Sequence, residues 1–145
     1  DEYQIYEARM LGADAVLLIA RILTPETLKR FLYTAWSLGM DALIEVHDRR
    51  DMEAALATPA EFIGINNRNL GTFITDVNNS FRMAERLPKD GCKVSESGIG
   101  DPNTVMRLRQ AGFNGFLMGE HFMKADNPGD ELARFIGQLK QHAQP

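Results

Sequence analysis

Four short runs of this sequence, each typical of a buried strand, end in a residue that could do chemistry. The runs and the residues that follow or end them are 42–44 before Glu45, 62–65 before Asn66, 93–95 before Glu96 and 116–118 before Gly119. Carboxylates can transfer protons, an amide can donate and accept hydrogen bonds, and a glycine lets a ligand approach the backbone. Because parallel α/β proteins carry their active sites at the carboxyl ends of their strands, the pattern predicts an enzyme site.

The elements that must position these residues alternate along the whole chain. Strands are predicted at 15–20, 42–46, 62–65, 92–95 and 115–118, and helices at 3–11, 24–38, 48–56, 77–87, 101–111 and from Asn127 and Pro128 onward. The strands show little polar alternation, so we expect them to be buried on both faces, as parallel strands covered by helices are. The fold class is therefore α/β with a parallel βα repeat.

A weak internal repeat supports this organisation. The turns that begin at Gly12, Gly39 and Gly112 share the pattern glycine, any residue, Asp or Asn, then a small and an apolar residue. Each is expected to join the end of a helix to the next strand. The chain is thus a leading helix followed by about five βα units, which could be a complete flavodoxin-like sheet or the larger part of an eight-unit barrel.

Composition excludes several functions. The 145 residues carry a net charge of −4, and the Lys and Arg residues are scattered, which argues against a nucleic-acid or membrane surface. The single cysteine, Cys92, cannot form an internal disulfide, and no signal peptide or apolar run of membrane-spanning length is found, which favours a reducing cytoplasm. The His47-Asp48 pair alone is no metal site, and the sequence has no Walker loop or Rossmann glycine fingerprint, so we expect neither a metal nor a cofactor.

Several motifs, in order along the chain, resemble those of the indole-3-glycerol phosphate synthase family. They begin at Tyr3 (YQIYEAR), Asp41 (DALIEVH), Gly64 (GINNRNL), Val94 (VSESGI) and Phe116 (FLMGE). The family has the TIM (β/α)8 barrel fold, so the resemblance implies that residues 1–145 form a single partial-barrel domain, corresponding to strands four to eight. The implied reaction is the decarboxylating ring closure of 1-(2-carboxyphenylamino)-1-deoxyribulose 5-phosphate to indole-3-glycerol phosphate.

The resemblance also assigns the catalytic residues. Glu45 would transfer a proton or stabilise an iminium intermediate, Asn66 would bind the substrate, and Glu96 would contact its polar groups. The alternative for Glu45 is a buried structural glutamate paired with a lysine, and the alternative for Glu96 is a carboxylate that caps the following turn.

Further residues would bind the substrate's charged groups. Arg68 would contact the substrate carboxylate, although a loop arginine is more often simply solvated. Ser97 would start the loop of a phosphate site formed by Gly98, Gly119 and Glu120, where backbone N–H groups favour an anion. Glu120 would contribute its backbone N–H, with its carboxylate directed away. Turn geometry alone is the alternative for both glycines.

Other parts of the family pattern would lie upstream of Asp1. The family draws a catalytic lysine, a further glutamate and a phosphate-binding lysine from its first three strands, so we expect this segment alone to be inactive. Exposed strand edges would favour self-association or pairing with the missing amino-terminal segment. The partner otherwise expected is a small phosphorylated substrate. A different phosphate-binding barrel enzyme and a non-catalytic half-barrel that binds a ligand remain the alternatives.

Overall fold

Seven α-helices and five β-strands alternate along residues 1–142, the part of the chain that the computed structural model describes. The helices are α1 (Tyr3–Met10), α2 (Pro25–Ser37), α3 (Arg49–Leu56), α4 (Asn78–Ala84), α5 (Pro102–Gln110), α6 (Glu120–Met123) and α7 (Pro128–His142). The strands are β1 (Ala15–Ile19), β2 (Asp41–Val46), β3 (Phe62–Asn66), β4 (Cys92–Glu96) and β5 (Gly115–Leu117). A short 3-10 turn follows β1 at Ala20–Ile22.

The predicted α/β class is confirmed. Every predicted strand is present with each end within one residue of its expected position, and the sheet order is β1-β2-β3-β4-β5. The predicted helices are present too, although α4 ends at Ala84 instead of residue 87. The sequence did not predict α6 or the 3-10 turn. Within the described residues, no helix is both long and apolar enough to cross a membrane.

The chain divides into two compact units. Unit 1 comprises Asp1–Gly64 with Arg86–Cys92, and unit 2 comprises Ile65–Glu85 with the described residues from Lys93 onward. The expected single domain over residues 1–145 stays a prediction.

The core of unit 1 forms where α2 packs on β1 and β2. The side chain of Thr24 accepts a hydrogen bond from the N–H of Thr27 at 3.2 Å and Pro25 follows at the first helical position, so local sequence fixes the helix start. Leu28 and Leu32 are wholly buried on one face of α2, and Ile44 of β2 is wholly buried as well. β1 and β2 pair in parallel register, with Ile19 opposite Glu45.

The repeated glycine turn is confirmed in both units. Gly12, Gly39 and Gly112 all have positive φ, between 71° and 95°. In each turn the residue after the glycine donates its N–H to the carbonyl five residues earlier, as Met40 does to Ala35 at 3.0 Å. This is the Schellman arrangement, and it requires a left-handed residue that glycine adopts without steric cost. The sequence pattern therefore encodes the same turn between a helix and the next strand at three places in the chain.

Unit 2 is built around β4, β5 and the helices that follow them. β4 and β5 pair in parallel, with Glu96 opposite Leu117. Asp101 caps α5 by accepting hydrogen bonds from the N–H groups of Asn103 and Thr104, both at 3.2 Å. α5 and α6 both pack on α7, and the rings of Phe122 and Phe135 meet edge to face at 5.6 Å.

Burial on both faces holds for β2 and β3, is partial for β4, which buries two of its five residues, and is wrong for the two end strands. β2 buries four of its six residues and β3 four of its five. In β1, by contrast, Leu17 is 50% exposed, and in β5 Leu117 is 53% exposed. Because side chains of a strand point to the two faces of the sheet, the exposure of Leu17 and Leu117 shows that one face of each end strand is incompletely covered by the described residues.

Asp48 caps α3 through a reciprocal pair of hydrogen bonds. Its carboxylate accepts from the N–H of Asp51 at 3.1 Å, while the Asp51 carboxylate accepts from the N–H of Asp48 at 3.4 Å. Arg21 also binds the Asp48 carboxylate. Partial burial would raise the pKa of Asp48, but the Asp51 N–H and the charge of Arg21 outweigh it and hold that pKa below its usual value.

We expect Asp48→Ala to lower the free energy of unfolding by about 1 kcal/mol at pH 7, as removal of a helix N-cap typically does. Because the folded-state pKa of Asp48 is depressed, its stabilisation is present above the unfolded-state value of about 3.9 and is lost as pH falls through the folded-state value. Urea unfolding at pH 7 and at pH 3 checks both points. Asp126→Ala, at an exposed position, is the control. An Asp48→Ala effect that is equal at both pH values contradicts the prediction.

Candidate active site

Glu45 lies in unit 1, where β2 ends. Its neighbours Ile44 and Val46 point to the opposite face of the strand and are wholly buried, and Glu45 itself is 6% exposed, so both faces are covered at this point. A carboxylate held this deep at a strand end is oriented by the strand and is largely shielded from water. Those are the properties that proton transfer or charge stabilisation requires.

The other predicted site residues belong to unit 2, beginning with Asn66 at the end of β3. Asn66 is 7% exposed, and its side-chain oxygen accepts a hydrogen bond from the N–H of Arg68 at 2.9 Å. An asparagine that bonds the backbone two residues onward turns the chain locally. Asn66 therefore sets the direction of the loop that carries Arg68.

Asn67 is a structural determinant of this region that the sequence did not reveal. It is 1% exposed, and its side-chain oxygen accepts hydrogen bonds from the N–H and the hydroxyl of Ser80 at 3.0 and 2.8 Å. Its amide nitrogen donates to the hydroxyl of Ser95 at 3.2 Å and to the carbonyl of Ser97 at 3.0 Å. Its backbone N–H donates to the carbonyl of Glu96 at 2.8 Å. One buried amide thus ties the end of β3 to α4 and to the end of β4.

Glu96 and the turn after it form the next part of the site. Glu96 is the last residue of β4 and is 3% exposed. Ser97 and Gly98 follow with φ of 69° and 73°, so two successive residues are left-handed. A side chain at Gly98 would be strained by that φ, and its Cβ would stand 2.5 Å from the methyl carbon of Thr75. The backbone conformation and the nearby methyl group therefore favour glycine at position 98, and the phosphate role of Gly98 stays a prediction.

Gly119 differs from Gly98 in this respect. Its φ is −108°, which any residue adopts, and a Cβ built on it would meet no atom of the described residues within 4 Å. Neither backbone conformation nor crowding by the protein explains a glycine here. Open space next to bare backbone is what close approach of a ligand would need.

Arg68, Gly98 and Glu120 are brought together in unit 2. They line one cavity of about 510 Å³, with Lys124 and His121 also on its wall. Ser97 and Gly119 adjoin residues of this lining without belonging to it, and Glu45 belongs to unit 1. The cavity therefore groups part of the expected substrate-binding and phosphate-binding set.

The carboxylate of Glu120 is placed differently from the expectation that it points away. It binds Arg68 through one oxygen and Lys124 through the other, the latter at 2.6 Å. Both cations line the same cavity and attract the carboxylate toward it. Hydrogen bonds from Lys124 and then Arg68 lower the pKa of Glu120, so the group is ionised at neutral pH.

His121 also has a partner that its isolated position in the sequence does not indicate. Its Nε2 lies 2.9 Å from a carboxylate oxygen of Glu131 in the first turn of α7, and Arg134 binds the other oxygen. Burial would raise the pKa of Glu131, but hydrogen bonds from Arg134 and His121 hold it below its usual value. Among the side chains that the structure describes, no group of three or more His, Cys, Asp or Glu residues could hold a metal ion.

Comparison with known structures identifies the fold, and comparison with known sequences identifies the family. A 3-hexulose-6-phosphate synthase from Salmonella typhimurium matches 97% of this chain and 68% of its own, with a TM-score of 0.76 and 17% identity. A native KDPGal structure matches 97% of this chain and 63% of its own chain, with a TM-score of 0.67 and 16% identity. Five parallel strands alternating with helices and these neighbours define part of a TIM-barrel enzyme fold. The family model of indole-3-glycerol phosphate synthase matches residues 1–135, and the chain belongs to that family.

Curated relatives agree with this assignment. Indole-3-glycerol phosphate synthase of Bacteroides thetaiotaomicron is 53% identical over 140 residues, which are 97% of this chain and 54% of that protein. The indole-3-glycerol phosphate synthase of Salinibacter ruber is 45% identical over 143 residues, which are 99% of this chain and 53% of that protein. The chain thus spans about half the length of the curated relatives it matches.

Proposed function

We propose that this chain supplies strands four to eight of an indole-3-glycerol phosphate synthase, a carboxy-lyase of tryptophan biosynthesis that acts in the cytoplasm. The substrate is 1-(2-carboxyphenylamino)-1-deoxyribulose 5-phosphate, and the products are indole-3-glycerol phosphate, carbon dioxide and water. The observation that carries this proposal is the family match over residues 1–135 together with the relative that is 53% identical.

The reaction itself requires groups of the kind found at the strand ends. A bond must form between the ring carbon that bears the carboxylate and the ketone carbon, the carboxylate must leave as carbon dioxide, and the ketone oxygen must leave as water. The departing oxygen needs a proton donor, and the cationic intermediate needs a nearby negative charge. Glu45, buried at the end of β2, suits either role. Asn66 and Glu96, buried at the ends of β3 and β4, are proposed to bind and polarise the substrate.

Charged groups of the substrate are assigned to the residues of unit 2. Arg68 binds the carboxylate, for which a guanidinium offers two parallel donors. Ser97, Gly98, Gly119 and the backbone N–H of Glu120 hold the phosphate. The open space at Gly119, which the chain's own packing does not explain, supports a ligand at that point.

The partner of this chain is proposed to be the amino-terminal part of the barrel. Leu17 in end strand β1 is 50% exposed, and Met10 and Leu11 at the end of α1 are 88% and 83% exposed. Unpaired strand edges with exposed apolar side chains favour association. Self-association of the chain through such an edge is the alternative when the amino-terminal part is absent.

We expect ring closure when this chain is fused behind the amino-terminal half of the Bacteroides thetaiotaomicron relative, and none from either part alone. The reason is that the family's catalytic lysine and phosphate-binding lysine come from its first three strands. Indole fluorescence follows product formation directly. A folded fusion that binds inorganic phosphate yet forms no product would contradict the proposed reaction and favour a ligand-binding half-barrel. Activity of the chain alone would contradict the division of catalytic residues.

A further inference from the structure

Arg68 is held at two points on the cavity wall of unit 2. Its Nε donates to the hydroxyl of Thr75 at 3.2 Å, and its terminal nitrogen binds the carboxylate of Glu120. Lys124, one helical turn after Glu120, donates to the other carboxylate oxygen at 2.6 Å. The guanidinium that the proposed function assigns to a substrate carboxylate is therefore already bound to a carboxylate of the protein.

The charges around this cavity make that pairing significant. Arg68, Lys124 and His121 are the basic residues of its lining, and Glu120 is the one acidic residue among the described residues that line it. Glu120 offsets part of the positive charge that would attract an anion. It also presents to Arg68 the same chemical group that an aromatic carboxylate would present.

We propose that Glu120 is an internal counter-ion. Its carboxylate binds the Arg68 guanidinium before an anionic ligand is present. When the substrate binds, its carboxylate replaces that of Glu120 on Arg68, while Glu120 stays bound to Lys124. This deepens the proposed function and depends on the role that it gives to Arg68. Glu120 is then a positioning and affinity-setting residue, and it takes no part in the chemical step.

Exposure and hydrogen bonding make the exchange feasible. The side chains of Arg68, Glu120 and Lys124 are 36%, 53% and 73% exposed, and ion pairs with that much access to water are weak and readily exchanged. Thr75 holds Nε throughout, so the guanidinium keeps its position while its partner changes. The lowered pKa of Glu120, caused by Lys124 and then Arg68, keeps the competing charge present at neutral pH.

The test compares Glu120→Gln with Glu53→Gln in the fused protein. Glu53 is a matched control because it also forms an exposed pair with an arginine, Arg49, in an i, i+4 arrangement, and it lies in unit 1. The probe is 2-(methylamino)benzoate, a fluorescent aromatic carboxylate, titrated at low ionic strength. We expect Glu120→Gln to bind it about two- to fivefold more tightly than the wild type, and Glu53→Gln to leave the affinity unchanged. The gain should shrink at high salt and should vanish when Arg68→Gln is added.

Several results would overturn the counter-ion role. They are an affinity in Glu120→Gln that is equal to or lower than that of the wild type, a gain that persists with Arg68→Gln, or no binding of the probe to any variant. A KM in Glu120→Gln that falls by a larger factor than any change in kcat would add support, because a purely structural role would not separate the two constants. Should Glu120→Gln fail to fold by circular dichroism, Glu120→Ala replaces it. If the proposed reaction is wrong, the wild-type fused protein will show no turnover. The binding comparison between variants still tests the counter-ion role in that case.

Discussion

Glu45→Gln in the fused protein should lower kcat for ring closure by about 10²- to 10⁴-fold, the contribution typical of general acid–base catalysis. Glutamine keeps the size and the hydrogen-bonding capacity of the side chain but can neither transfer the proton nor supply the negative charge. The substrate would still be bound by the residues of unit 2, so KM should change much less than kcat. Initial rates measured over a range of substrate concentrations separate the two constants.

The control for this experiment is Glu26→Gln, which makes the same chemical change at an exposed position in the first turn of α2. It should leave kcat unchanged. Glu45→Asp keeps the charge on a side chain that is shorter by one methylene group. Its kcat should lie between that of Glu45→Gln and that of the wild type. If Glu45→Gln retains more than about a tenth of wild-type kcat, the side chain is structural and the acid–base assignment fails.

Asn67→Ala should lower the free energy of unfolding by about 1–3 kcal/mol, the range typical of removing the partner of a buried polar group. The substitution removes the side-chain partner of the Ser97 carbonyl and one partner from each of the Ser80 and Ser95 hydroxyls. The Ser80 N–H loses the Asn67 oxygen but keeps the carbonyl of Val77 at 3.2 Å. The two hydroxyls keep their mutual contact at 2.7 Å, which limits the loss. Urea unfolding, with midpoint and slope both fitted, measures the effect.

Asn103→Ala is the matched control for Asn67→Ala. Asn103 is exposed, and the partner of its side-chain amide is the exposed Asp101, so its removal should cost less than about 0.5 kcal/mol. Asn67→Asp gives a second test, because it keeps the shape but replaces the amide donor with an oxygen in a site that is 1% exposed. It should destabilise as well. Equal stability of Asn67→Ala and Asn103→Ala would show that the buried network contributes nothing.

Much of the fold could be predicted from the sequence because the residues that start and end helices agree with the spacing of the apolar residues that pack in the core. The threonine and proline at 24 and 25 start a helix whose apolar residues then recur with helical spacing, and Gly39 stops it. The exposure of Leu17 could not be predicted in this way. An apolar strand has the same sequence pattern whether or not another element covers its faces, so the burial of its side chains depends on tertiary packing and not on the strand's own residues.

The candidate site was predictable to the extent that it follows strand ends. Glu45, Asn66 and Glu96 lie at the ends of β2, β3 and β4, because hydrophobic runs mark where those strands stop. The contacts of Asn67 are a different matter, since they join residues that are 13, 28 and 30 positions apart in the chain. The doublet of amides after a buried strand is the local signal at this point, and it assigns no role to Asn67. The pairing of Glu120 with Arg68 is likewise 52 positions apart and depends on the folded loops.

The repeated glycine turn has a consequence for recombination between related proteins. Gly12, Gly39 and Gly112 end three different helices with the same left-handed turn and the same backbone hydrogen bonds. A crossover placed at one of these glycines joins two chains inside a turn that both encode locally, so the backbone at the junction keeps its conformation. Met40 and Phe113, which follow two of the glycines, are buried and should be exchanged together with the core that they contact. Exchange of whole βα modules between family members is therefore expected to succeed more often at these three positions than at the polar strand ends, where side chains such as Asn67 bind several segments at once.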